Sequence, residues 1–318
     1  MQTTGVLGIV VAIGLTLTAC ATALGGANRV VAPAMVRIPA GRFIAGSDPA
    51  ETTAVHYPAE NARREQPARQ VSVARTFAIG RSEVTRGEFA RFVIATGWRP
   101  DGPCSFLPDG IGGKWTADTA HDWAHPGFAQ TNAHPVVCVN QVDATAYAAW
   151  LSEATGRRFR LPSNTEWEYA ARAGTTGADP WTSRHANPCR YGNLSDHARA
   201  RAHNGGVADP ALYFACEDGF VATAPVASFR PNRWGIYDVL GNVWEWTLDC
   251  LNSDQVDAPG DTAPRTTGDC RSHIDRGSSW VNSPKYVRFA AQHPDLVEAR
   301  TSVLGFRLAE DLPQRRQP

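Results

Sequence analysis

The chain has 318 residues, its 31 Lys and Arg balance its 31 Asp and Glu, and no basic run is longer than the Arg pair of the C-terminal QRRQ. Nucleic acid is therefore excluded as an expected partner, because phosphate binding needs a concentrated basic face. With no internal repeat or low-complexity block the length suits one large domain, and 10 Trp with 7 Tyr predict aromatic packing with rings available to a groove.

An apolar run from Gly5 to about Leu17 opens the chain, with no Lys or Arg ahead of it, and ends in Leu17-Thr18-Ala19-Cys20. It is too short to span a bilayer and reads as an export signal. The final tetrapeptide is similar to a bacterial lipobox, which makes Cys20 the expected lipidated residue; cleavage elsewhere and an uncleaved anchor are the alternatives. All three place the folded part outside the cytoplasm, in the periplasm or cell envelope, with the membrane touched only through an N-terminal anchor. Residues 21–34 then read as a tether, 35–312 as the domain and 313–318 as a disordered tail.

Val36 to Phe43 predicts a strand with an Ala-Gly turn, and Val71 to Ile79 alternates as a half-buried strand does. Thr85 with Glu88 forms a capping box ahead of a helix that Gly97 ends. A Gly, Pro and Asp-rich insertion from Trp98 to Val137 carries His121, His125 and His134, but their spacing is not that of a transition-metal site. Asp143 to Ala154 predicts a second helix burying Tyr147, Trp150 and Leu151, and Ser163 with Glu166 caps a third that carries Trp167. Beyond Gly174 regular patterning fades.

With Cys20 set aside, Cys104, Cys138, Cys189, Cys216, Cys250 and Cys270 remain. An even number in an exported chain suggests disulfides, with buried free thiols as the alternative. Pairing sequence neighbours, 104 with 138, 189 with 216 and 250 with 270, closes three Gly, Pro and Asp-rich segments whose own cores would be small.

The sequence centres on GIYDVLGNVWEW, Gly235 to Trp246. Gly241-Asn242 favours a tight turn with positive φ, and burial of Trp244 and Trp246, roughly 150–250 Å² each, leaves Asp238 and Glu245 in need of partners. Calcium, with its oxygen ligands, is one answer; a metal-free turn with solvated acids is the other.

The string NVWEW, together with RLPSNTEWEYAARAG (Arg160 to Gly174), RGSSW (Arg276 to Trp280) and GFRLA (Gly305 to Ala309), resembles the formylglycine-generating enzymes, or sulfatase-modifying factors. The likeness runs from about Met35 to Asp311. It implies an α+β fold related to C-type lectins, with little regular secondary structure and one domain. It also implies two structural calcium sites, one at Asn193, Leu194, Asp218 and Phe220 and the other at Asp238, Gly241, Val243 and Glu245. Leu194, Phe220, Gly241 and Val243 could ligate only through the backbone.

The family's catalytic feature is a pair of cysteines five apart that bind copper(I) and activate oxygen. Their positions here are Asn282 and Val287, neither of which offers the soft ligand copper(I) prefers, so copper is not expected. Trp244 and Ser279 match residues lining the family pocket, and with Asn282 they outline an expected cleft. Asp275, His273, His293, Lys285 and Arg288 could serve acid-base chemistry, but show no nucleophile-base spacing.

The resemblance thus points to a periplasmic maturation or accessory factor that binds a peptide or small molecule without copper-cysteine chemistry. A cysteine-independent oxidoreductase is the alternative, since some relatives lacking the cysteines take part in periplasmic siderophore maturation. A lectin-like binding module is the third reading.

Overall fold

Gly and Pro interrupt nearly every apolar run, so the elements are short. The computed structural model describes residues 1–2, 30–107, 114–182, 185–203 and 205–313. Cys20, tether residues 21–29 and tail residues 314–318 lie outside the described residues. In chain order the elements are β1 (Met35–Ile38), β2 (Gly41–Ala45), α1 (Pro49–Ala54), α2 (Ala59–Arg64), β3 (Arg69–Val73), β4 (Phe77–Gly80), α3 (Arg86–Thr96), β5 (Cys104–Phe106) and β6 (Thr116–Asp118). There follow α4 (Gln141–Thr155), β7 (Phe159–Arg160), α5 (Asn164–Arg172), α6 (His197–His203), β8 (Trp244–Leu251), β9 (Asp269–Arg276), β10 (Gln292–Leu296), β11 (Leu304–Gly305) and β12 (Ala309–Glu310).

The capping signals locate the helices. Thr85 accepts from the Glu88 amide and Gly97 ends α3 at φ 69°; Ser163 and Glu166 cap α5 in the same way. Each such cap is worth about 1 kcal/mol. At α4 the helix starts before Asp143, because Asn140 is the cap and Asp143 reaches back to its amide.

The expected strands are each divided. Val36 to Phe43 becomes β1 and β2, which join different sheets, and Val71 to Ile79 becomes β3 and β4. Extended backbone continues the alternation past a break, so residue pattern alone does not reveal where pairing changes partner.

One four-stranded sheet has the order β1-β4-β12-β7 and the other β10-β9-β8-β11. Helix α5 packs against β2, β8 and β9, and all of its residues are buried. The main core gathers Ile38, Phe77, Ile79, Trp167, Val239, Leu240, Val287 and Phe289 around it. Disulfides join Cys104 to Cys138, Cys189 to Cys216 and Cys250 to Cys270, the sequence-neighbour pairing expected. Among the described residues no helix is long and apolar enough to cross a membrane.

Candidate functional site

Strand alternation in β8 sends Trp244 and Trp246 to one face of the second sheet and Glu245 to the other. On the Glu245 face, its carboxylate pairs with Arg307 and accepts from Trp167 Nε1 at 2.6 Å; all three residues are at most 1% exposed. Arg307 also donates to the carbonyls of Gly80 and Tyr237, tying the central turn to the first sheet.

That turn is as the sequence predicts, with Gly241 at φ 89° and Asn242 at φ 57°. A Cβ on Gly241 would lie 2.3 Å from the Asn193 carbonyl oxygen, so only glycine fits.

Asp238 is fully buried. Its Oδ2 accepts from the Ala227 amide at 2.6 Å, whereas its Oδ1 has no hydrogen bond, nor has Oε2 of the buried Glu83. Burial pushes Asp238 up to about 6, with Glu245 adding to the rise and a hydrogen bond with Glu83 opposing it, and burial with the charges of Asp238 and Glu245 pushes Glu83 well above the usual carboxylate range. With Glu245 paired to Arg307, Asp238 and Glu83 are left to share either a proton or a divalent cation. Glu245, the expected ligand, has both oxygens engaged by protein donors, so the free oxygens at this site belong to Asp238 and Glu83. Glu83 is not evident from the sequence: it stands in a short polar stretch, 155 residues before Asp238 in the chain.

The other expected calcium set also converges. The amides of Leu194 and Phe220 donate to the two oxygens of Asp218 at 2.7 and 2.8 Å. Asn193 is buried with Oδ1 unbonded, and the Asp196 carboxylate accepts from the Asp218 amide. Burial pushes Asp218 up to about 7. The Asp196 and Asp218 carboxylates lie together, and with the unbonded Asn193 Oδ1 on the same segment as Leu194 they are the oxygens from which a calcium site would be drawn, although both Asp218 oxygens are engaged by amides. Cys189, which adjoins this pair, is committed to its disulfide.

The sheet's opposite face forms a cleft wall. Trp246, Asp275 and His293 stand in one cross-strand row over β8, β9 and β10, and Asp295 lies two residues along β10 on the same face. The ring of Trp244 packs 5.4 Å from that of His293, with 32° between their planes. His293 Nδ1 is 3.3 Å from Asp275 and 3.5 Å from Asp295. Burial opposes charge on His293, but the two carboxylates more than reverse this and raise its pKa; burial pushes Asp275 up to about 7.

The family cysteine positions lie on the loop after β9. Arg276 is fully buried, donates to the carbonyls of Phe289, Ala290 and Ala291, and pairs with Glu168, closing this loop at its base. Within it the amide and hydroxyl of Ser279 both donate to Asn282 Oδ1, at 2.9 and 2.6 Å. Asn282 lines a cavity of about 530 Å³ together with Arg64, Trp115, Tyr286 and His293. Val287 is 1% exposed and borders a different cavity, of about 700 Å³, beside Trp181 and Phe214. Ser279 is wholly buried, so it supports Asn282 and does not itself offer a surface to the cleft.

His273 lies on β9 opposite Asp295, and Arg288 is held by Glu65 and Glu51. In the insertion, His121 and His125 pair with Asp118 and Asp122 and His134 accepts from the Thr131 amide, so these histidines do not converge.

A profile of the sulfatase-modifying factor enzyme 1-like domain matches residues 21–312. The formylglycine-generating enzyme of Streptomyces coelicolor is 33% identical over 87% of this chain and 88% of its own. The mouse protein named inactive C-alpha-formylglycine-generating enzyme 2 is 30% identical over 87% and 85%. Among solved structures, PvdO from Pseudomonas aeruginosa is similar with a TM-score of 0.70 and 32% identity, covering 88% of this chain and 95% of its own. On this match in sequence and fold, the chain belongs to the formylglycine-generating enzyme, or sulfatase-modifying factor, family.

Proposed function

We propose that this protein is an exported maturation or accessory factor that binds a peptide or small molecule in the cleft at Asn282 without copper-cysteine chemistry. The observation that carries the reading is the fate of the two cysteine positions. One is an amide already bonded to Ser279 inside a cleft of ligand size, and the other is an aliphatic side chain packed in the core. Neither position carries a thiol, and Asn282 still borders a cavity of about 530 Å³. The inactive mouse relative supports the same separation of fold from oxidation.

Titration with a sulfatase-type cysteine peptide and with small carboxylate or aromatic ligands, followed by calorimetry, tests the proposal. Saturable binding weakened by Trp115→Ala and Asn282→Ala is expected; absence of binding to every probe counts against it. Export and lipid attachment belong to the same reading. Cys20→Ala should release the protein from the membrane fraction, and a variant that still sediments with membranes argues against the lipobox.

The half-exposed His293, oriented by Asp275 on the same wall, favours a second reading as a cysteine-independent oxidoreductase. Substrate-dependent oxygen consumption by the purified protein would select it over the binding role. Structural calcium at Asn193, Leu194, Asp218 and Phe220 and around Asp238 is part of both readings.

A further inference from the structure

We infer that Asp275, His293 and Asp295 form a binding site for a divalent first-row transition-metal ion, separate from both calcium sets, on the wall of the Asn282 cleft. The ligand atoms of the three side chains all lie within 4.8 Å of one another, with the imidazole nitrogen 3.3 and 3.5 Å from the two carboxylates. An ion about 2.0–2.1 Å from nitrogen and oxygen ligands holds neighbouring ligand atoms roughly 3.0–3.4 Å apart, so little movement is needed to admit one.

Asp275 supplies the independent observation. It is 0% exposed, neither oxygen accepts a well-formed hydrogen bond, and Oδ2 has a 3.3 Å ion pair with His293 Nδ1. A buried carboxylate with one long ion pair and no other partner among the described residues is costly, and a bound cation would reduce that cost. The protonated imidazole of His293 alone offers a single Nδ1–H to two acids.

The backbone explains why the three converge. His293 and Asp295 are two apart on β10 and therefore share a face, and Asp275 is the cross-strand partner of His293. Trp244 packs on the imidazole and restricts its rotation, so the nitrogen is aimed before any ion arrives. One nitrogen and two oxygens suit zinc, manganese or iron(II) better than copper(I), which prefers thiolates. Three protein ligands leave at least one position open. Because His293 lines the cleft, that position would accept an oxygen donor of a bound molecule, such as a carboxylate.

The test uses the mature protein saturated with calcium, dialysed against Zn²⁺ or Co²⁺ and assayed for metal by elemental analysis, with the visible absorption of Co²⁺ as a second readout. One equivalent of transition metal is expected in the wild type, with calcium content unchanged. His293→Gln, at a half-exposed position, should lower the affinity at least tenfold while leaving the circular-dichroism melt intact, and Asp295→Asn should do likewise. No binding by the wild type, or equal binding by the folded variants, overturns the inference. Peptide titration of metal-free protein reads the cleft proposal independently, so failure of one is distinguishable from failure of the other.

Discussion

Trp244 and Glu245 are consecutive in the chain and serve opposite faces of one sheet. The indole packs against His293 in the cleft wall, while the carboxylate is sealed beneath the sheet with Arg307 and Trp167. The expected cleft residue Trp244 is itself 4% exposed and lies behind His293, so the motif sends two buried side chains to opposite faces at successive positions, as strand geometry requires.

Substitutions at the two residues should separate accordingly. Arg307→Met leaves Glu245 unpaired in a fully buried site and should cost about 3–5 kcal/mol in urea unfolding. Trp244→Phe keeps an aromatic ring but shortens a buried side chain, so it should cost less than the roughly 3–5 kcal/mol of a full truncation to Ala and reach cleft ligands only through the His293 ring it packs on. An Arg307→Met variant as stable as the wild type would show that the pair is dispensable.

Calcium removal should destabilise the fold. An ion bound only by the native state at 100 times its dissociation constant adds about 2.7 kcal/mol, so chelation should lower the melting temperature by several degrees. Asp218→Asn should remove part of that sensitivity, and Asp238→Asn another part. An identical melt in chelator, with no calcium found by elemental analysis, would falsify the calcium sites.

Asp249 gives a pH prediction away from those sites. Its oxygens accept from the Asn164 and Arg265 amides at 2.7 and 2.8 Å, and burial pushes it up to about 6. Since the native state holds the proton more tightly than the unfolded chain, this contribution is complete below pH 3.8 and is lost as pH rises through about 6. Its size is on the order of 1–3 kcal/mol. Asp249→Asn, whose amide does not titrate, should flatten the dependence of stability on pH between about 4 and 6; an unchanged slope would assign it to other groups.

Unmodified protein should not convert a sulfatase-type cysteine peptide to formylglycine, so the mass of the peptide should stay constant in the presence of oxygen and copper. The six domain cysteines are joined in three disulfides, which leaves no described thiol to replace Asn282 and Val287. Formation of the aldehyde product would overturn the functional reading and place the oxidation on other residues.

What the sequence determined by itself was local. Thr85 with Glu88, Ser163 with Glu166, Gly97 and the Gly241-Asn242 turn each state their conformation within a few residues, because caps and positive-φ turns are satisfied by near neighbours. The family motifs added the fold and the positions Asn282 and Val287. Tertiary structure decided which groups meet. Glu83 joins Asp238 and Arg307 claims Glu245 because loops flanking the two sheets pack together, and Asp275 faces His293 because sheet register sets them opposite each other. A carboxylate's partner depends on burial and on the strand opposite, and neither is encoded in the spacing of residues along the chain.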